Sequence, residues 1–104
     1  MEIVAILTTI DSAERAQGIA SALVERKLAA CVQISEVESV YSWQGAVQRE
    51  REFRIMAKTL AGRYADAEAA IRELHTYELP AIYAVPVTEV FAPYADWVAE
   101  NVAE

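Results

Sequence analysis

The chain holds one histidine and one cysteine, and their settings decide much of the chemistry open to it. His75 stands in the run His75-Thr76-Tyr77-Glu78-Leu79-Pro80, where a helical pattern stops and a strand pattern starts. A neutral imidazole is a common ligand for copper, zinc and nickel. A histidine in a last helical turn also suits the macrodipole in its protonated form, and both readings stand. Tyr77 can orient this loop, and Glu78 can accept a hydrogen bond or join a metal site. Cys31 is either a soft ligand for Cu(I) or a small buried hydrophobe. Glu50 and Glu52 share one strand face, where two carboxylates could take a hard cation or share a proton. Arg54 and Lys58 fall on the same face, which favours ion pairing within or between chains. A tight metal site needs three or four ligands. One histidine per chain therefore makes a weak site, and a fuller one would combine ligands from two chains.

The elements that must position these residues can be read from periodicity. Residues 2–10 are almost continuously apolar and β-branched, the pattern of a strand buried on both faces. Asp11 and Glu14 then read as a capping box with Asp11 as the cap. The helix that follows carries Ala16, Ile19, Ala20, Leu23 and Val24 on one stripe and ends near Lys27. Residues 29–43 form a long strand pattern whose apolar parity switches near Ser35-Glu36, as a β-bulge would produce. Trp43-Gln44-Gly45-Ala46 supplies a turn. From Val47 to Thr59 one face is apolar and the other charged, the signature of a half-buried antiparallel strand.

A second helix is expected over about 62–75, with Tyr64, Ala67, Ile71 and Leu74 as its stripe and Glu68–Arg72 as an i,i+4 pair. Residues 81–90 form a last strand; Pro86 inside it points to a sheet edge. Residues 92–102 read as a helix with Pro93 in its first turn and Tyr94, Trp97, Val98 and Asn101 on one face.

Two βαβ units joined by a hairpin, with an added C-terminal helix, imply an α+β fold of the ferredoxin-like βαββαβ type. A single domain over 1–104 fits the length and the scarcity of Gly and Pro. In this arrangement the first and third strands are central and the second and fourth are edges. The second and third strands are long, so they would protrude as an arm carrying Tyr41, Trp43 and Val47. Exposed edges of that length aggregate unless covered, and an oligomer whose subunits cover one another's edges is the expectation. Tyr41 and Trp43 are its interface candidates, since such aromatics more often anchor an interface than line a small-molecule cleft.

A net charge of −7 repels phosphate backbones, so nucleic acid is not an expected partner. One cysteine excludes an internal disulfide or a Cys-cluster zinc site. No apolar run is long enough to span a bilayer, and Met1-Glu2 lacks the basic start of a signal peptide. A cytoplasmic location is expected. There is no Gly-rich nucleotide loop, no Ser-His-Asp context and no HExxH motif, so neither an enzyme nor an organic cofactor is expected.

Three segments taken together, LAACVQI (28–34), SVYSWQGAVQREREFRIMAKT (39–59) and HTYELPAIYAVPV (75–87), resemble the CutA divalent-cation-tolerance family in order and spacing. The resemblance implies a compact homotrimer of ferredoxin-like subunits linked to tolerance of copper and other divalent cations, weakly bound, with no defined enzymatic reaction. Among the metal candidates His75 matches the family's constellation; Cys31 and Glu78 are carried by their own chemistry. Some bacterial relatives have a cysteine aligned with Thr8 and a second histidine aligned with Leu74, and Thr76 replaces the usual proline. Two other classes remain open. A trimer of the PII signalling type would bind a nucleotide or small anion between subunits, using Lys58 and Arg54. A structural or anchoring trimer would do no chemistry.

Overall fold

The computed structural model describes residues 2–102. Met1, Ala103 and Glu104, which belong to the expected single domain, lie outside the described residues. The elements run β1 (Ile3–Ile10), α1 (Ala13–Glu25), β2 (Cys31–Trp43), β3 (Ala46–Leu60), α2 (Tyr64–Leu74), β4 (Ile82–Val87) and α3 (Ala92–Glu100), with a short 3-10 turn at Ala61–Arg63. The sheet order is β2-β3-β1-β4 and every pairing is antiparallel. This is the ferredoxin-like order, with the apolar first strand and the third strand central and the Pro86 strand at an edge.

Register assigns the two faces of the sheet. Val4, Ile6, Thr8 and Ile10 of β1 stand opposite Thr59, Ala57, Ile55 and Phe53 of β3. Their side chains form one face, onto which α1 and α2 pack. Ile6, Ile10, Ile19, Leu23, Ile55 and Ile71 are essentially inaccessible there. Burying an aliphatic side chain of this size contributes about 1.5–3 kcal/mol, so this layer dominates stability. On the other face α3 covers one end only, where Ala95, Val98 and Val102 close over Ile3. The rest of that face carries Tyr83 and Val85, both exposed.

Several local expectations are corrected. The cap of α1 is Ser12, not Asp11: Arg15 N–H donates to Ser12 Oγ at 3.2 Å. Val24 lies at the rim of the α1 stripe and is exposed. Glu68 accepts from the Tyr64 hydroxyl at 2.8 Å and makes no ion pair with Arg72. On α3 it is Ala95 and Val98 that are buried; Trp97 and Asn101 are exposed, and Tyr94 stacks on Trp97. There is no bulge near Ser35-Glu36. The β2–β3 register runs without a break from Cys31↔Lys58 to Trp43↔Ala46. The parity switch has another cause: β1 ends at Ile10, opposite Phe53, and beyond that point no helix of the same chain dictates which face must be apolar.

The part of β2–β3 beyond β1, Val37–Trp43 with Ala46–Glu52, is a two-stranded arm about 23 Å long at the usual rise. Its two-residue turn has positive φ at both Gln44 (50°) and Gly45 (81°), the type I′ geometry whose twist matches that of the strands. Among the described residues, neither outer edge of the arm has a strand partner.

Candidate functional site

Where β3 leaves β1, an unusual carboxylate is found. Glu52 is 4% exposed, although it belongs to the charged face of its strand. The Tyr77 hydroxyl donates to Glu52 Oε2 at 2.6 Å. Two residues farther out, the Tyr41 hydroxyl donates to Glu50 Oε2 at 2.6 Å. Tyr41 lies opposite Gln48, and Glu50 opposite Ser39, so this bond joins diagonal neighbours on one arm face. The expected pairing of Glu50 and Glu52 with Arg54 and Lys58 does not form. Lys58 donates instead to Gln33, and the ion pair near the arm's root joins Arg51 to Glu36 at 3.0 Å.

Tyr77 reaches Glu52 because of how α2 ends. His75 leaves the helix with extended backbone (φ −80°, ψ 150°), while its N–H still donates to Ile71 O. Its ring turns toward the end of β1, and Nε2 lies 2.8 Å from the Thr9 carbonyl. A carbonyl can only accept, so Nε2 carries the proton. Nδ1 is then the acceptor and takes the Tyr77 N–H at 3.1 Å. The two rings meet edge to face at 4.7 Å. His75 thus pins the loop to β1 and aims Tyr77 at the arm's root. Burial first, and then Glu52, push the Tyr77 phenol far above its ordinary value. The Tyr41 phenol is pushed up to about 12, mainly by its bond to Glu50.

These groups border a groove of about 570 Å³ between the arm and the loop after α2. Tyr41, Trp43, Glu52, Tyr77 and Leu79 are among its walls. Tyr41 and Trp43, the expected interface aromatics, therefore share a face with Glu52.

The metal candidates are not brought together. Cys31 pairs with Lys58, which is itself opposite Ala5; Thr9, which holds His75, lies about 13 Å farther along β1. Cys31 stands against Tyr94 of α3, whose phenol is raised first by burial and then by the thiol. Glu78 is exposed. Thr8 is buried on the helix-covered face and Leu74 packs into the core. Both ring nitrogens of His75 are already bonded, so no lone pair is free for a metal. Among the described residues, no three His, Cys, Asp or Glu side chains group to hold an ion, and a one-chain metal cage does not fit. Sequence reasoning missed the burial of Glu52 and its bond to Tyr77. Nothing in strand alternation separates Glu52 from Glu50.

The architecture defines a class: a ferredoxin-like α+β domain with a long hairpin arm and no nucleotide loop. Residues 4–101 match the sequence profile of the CutA1 divalent ion tolerance proteins, and the chain belongs to that family. The divalent-cation tolerance protein CutA of Thermus thermophilus is 40% identical over 97 residues, spanning 92% of this chain and 94% of that one. The Archaeoglobus fulgidus CutA structure superposes with a TM-score of 0.95 at 34% identity, covering 97% of this chain and 99% of that one. CutA1 from rice gives 0.96 at 28% identity, with 100% and 96% covered.

Proposed function

We propose that the chain works in divalent-cation tolerance as a non-catalytic homotrimer, taking copper or another divalent cation weakly between subunits. The observation that carries the assembly is the β2–β3 arm. It presents unpaired strand edges and the exposed Val40, Tyr41 and Val47, a surface that soluble chains cover. The number three follows from the family resemblance. Because His75, Cys31 and Glu78 form no three-ligand group within one chain, a site would be completed by a neighbour, and His75 would join it by giving up the Tyr77 N–H that its Nδ1 now accepts. No organic cofactor is required, and a cytoplasmic location is part of the same proposal, although the Archaeoglobus relative is described as periplasmic.

Light scattering on the purified chain is expected to give the mass of three copies. Copper titration of that assembly is expected to show saturable, weak binding, reduced about tenfold by at least one of His75→Ala, Cys31→Ser and Glu78→Gln. Unchanged affinity in all three variants removes these residues from the metal account.

A further inference from the structure

We propose that the groove between the arm and the loop after α2 binds a small organic cation, of the alkylammonium class, seated against Trp43 and Tyr41 with Glu52 as its counter-charge. Three features lead there. The first is charge. Glu52 is buried, yet the described residues offer it no cationic partner; its one side-chain bond comes from a neutral phenol. Glu50 is bonded in the same way by Tyr41. Asp11 acts on Tyr77 alongside both carboxylates, so this corner carries negative charge with no ion pair to offset it. Removing a carboxylate from water costs several kcal/mol unless it is paired, and a phenol supplies a hydrogen bond but no opposite charge.

The second feature is the wall material. Trp and Tyr rings attract a cation to their faces, and the groove is lined by Trp43, Tyr41 and Tyr77 together with the carboxylates of Glu52 and Glu38. The third is size. A volume of about 570 Å³ suits a small organic molecule and far exceeds a bare ion. A divalent ion would also need several oxygens converging on one point, which the described residues do not provide. The groove is built from one chain. Its carboxylates and aromatic walls all come from that chain, so the inference goes beyond the assembly proposed above.

Choline and its neutral carbon isostere, 3,3-dimethyl-1-butanol, distinguish charge recognition from simple apolar filling. Both would be titrated into the full chain carrying Trp97→Phe, so that the fluorescence of Trp43 alone reports, with mass monitored by light scattering. The expected result is saturable binding of choline, at least tenfold weaker binding of the isostere, and at least a tenfold loss for choline in Glu52→Gln. That variant keeps an oxygen for the Tyr77 hydroxyl, and circular dichroism checks that it folds. Equal binding of choline and isostere, or an unchanged affinity in Glu52→Gln, overturns the proposal. So does the absence of choline binding, the outcome if a basic side chain of a second copy occupies the groove. A trimer that ignores choline refutes this inference and leaves the assembly standing; a monomer that binds it does the reverse.

Discussion

The body of the sheet and the arm are made of the same two strands, yet they obey different rules. In the body, β3 alternates strictly: Ile55, Ala57 and Thr59 are buried beneath α1 and α2, with Met56 and Lys58 between them less so. In the arm, the same strand exposes Val47 and buries Glu52. The difference is the presence of a covering layer. Where helices of the same chain cover a face, a polar side chain there costs a lost hydrogen-bonding environment, and apolar residues fill it apart from Thr8 and Thr59, whose buried hydroxyls have no partner among the described residues. Where the described residues supply no such layer, that constraint is lifted.

The largest expected effect separates these regimes. Ile6 is 1% exposed and Val47 is 69% exposed. Ile6→Ala leaves a cavity under two helices and is expected to cost about 2–5 kcal/mol. Val47→Ala is expected to change the chain's own stability by less than about 0.5 kcal/mol. If the arm packs on a neighbour, Val47→Ala acts through association, so its melting temperature drops further on dilution. Thermal unfolding across a range of protein concentrations reads both effects. A loss for Val47→Ala that matches Ile6→Ala at every concentration would break the contrast.

The arm is not wholly independent, because Tyr77 ties its root to the loop that His75 pins to β1. Tyr77→Phe leaves the buried Glu52 short of its one side-chain donor and is expected to cost about 1–3 kcal/mol. The pH dependence has a definite sign. The folded-state phenol is raised above the unfolded value of 10.0, so both states hold the proton at neutral pH and the contribution is complete there. As pH rises past that value the unfolded chain releases its proton while the folded chain keeps it, and stability falls toward the folded value. Tyr77→Phe should therefore lose stability less steeply than the wild type above pH 10.0. Denaturant midpoints measured through the alkaline range check this. Tyr41, raised by Glu50, stays in the variant and leaves a residual slope.

The same division explains what could be read from the chain. Strand order followed from two observations: the continuously apolar 3–10 segment had to be central, and Pro86 had to be at an edge. Those signals are intrinsic to one strand. The parity switch at Ser35-Glu36 mimics a bulge because period-two logic assumes a layer to pack against, and beyond the end of β1 the described residues supply none. The site was less legible. His75 was singled out as the one histidine, but its role depends on the Thr9 carbonyl, 66 positions away. Glu52 looked like any carboxylate on a charged strand face; only the folded loop brings Tyr77 to it. Distant partners of this kind leave no periodic trace.

The smallest effect tests whether surface charge holds the arm's root. Arg51 and Glu36 pair at 3.0 Å, but their side chains are 70% and 55% exposed. Water screens such a pair, and holding two long side chains in one geometry has an entropic cost. Arg51→Ala is expected to change stability by less than about 0.5 kcal/mol, and raising salt should shrink even that. Denaturant unfolding at low and high ionic strength measures it. A larger, salt-sensitive loss that appears only in the assembled protein would move Arg51 from the surface of the arm to a contact between arms, and would make charge as well as apolar area part of what covers the exposed strand edges.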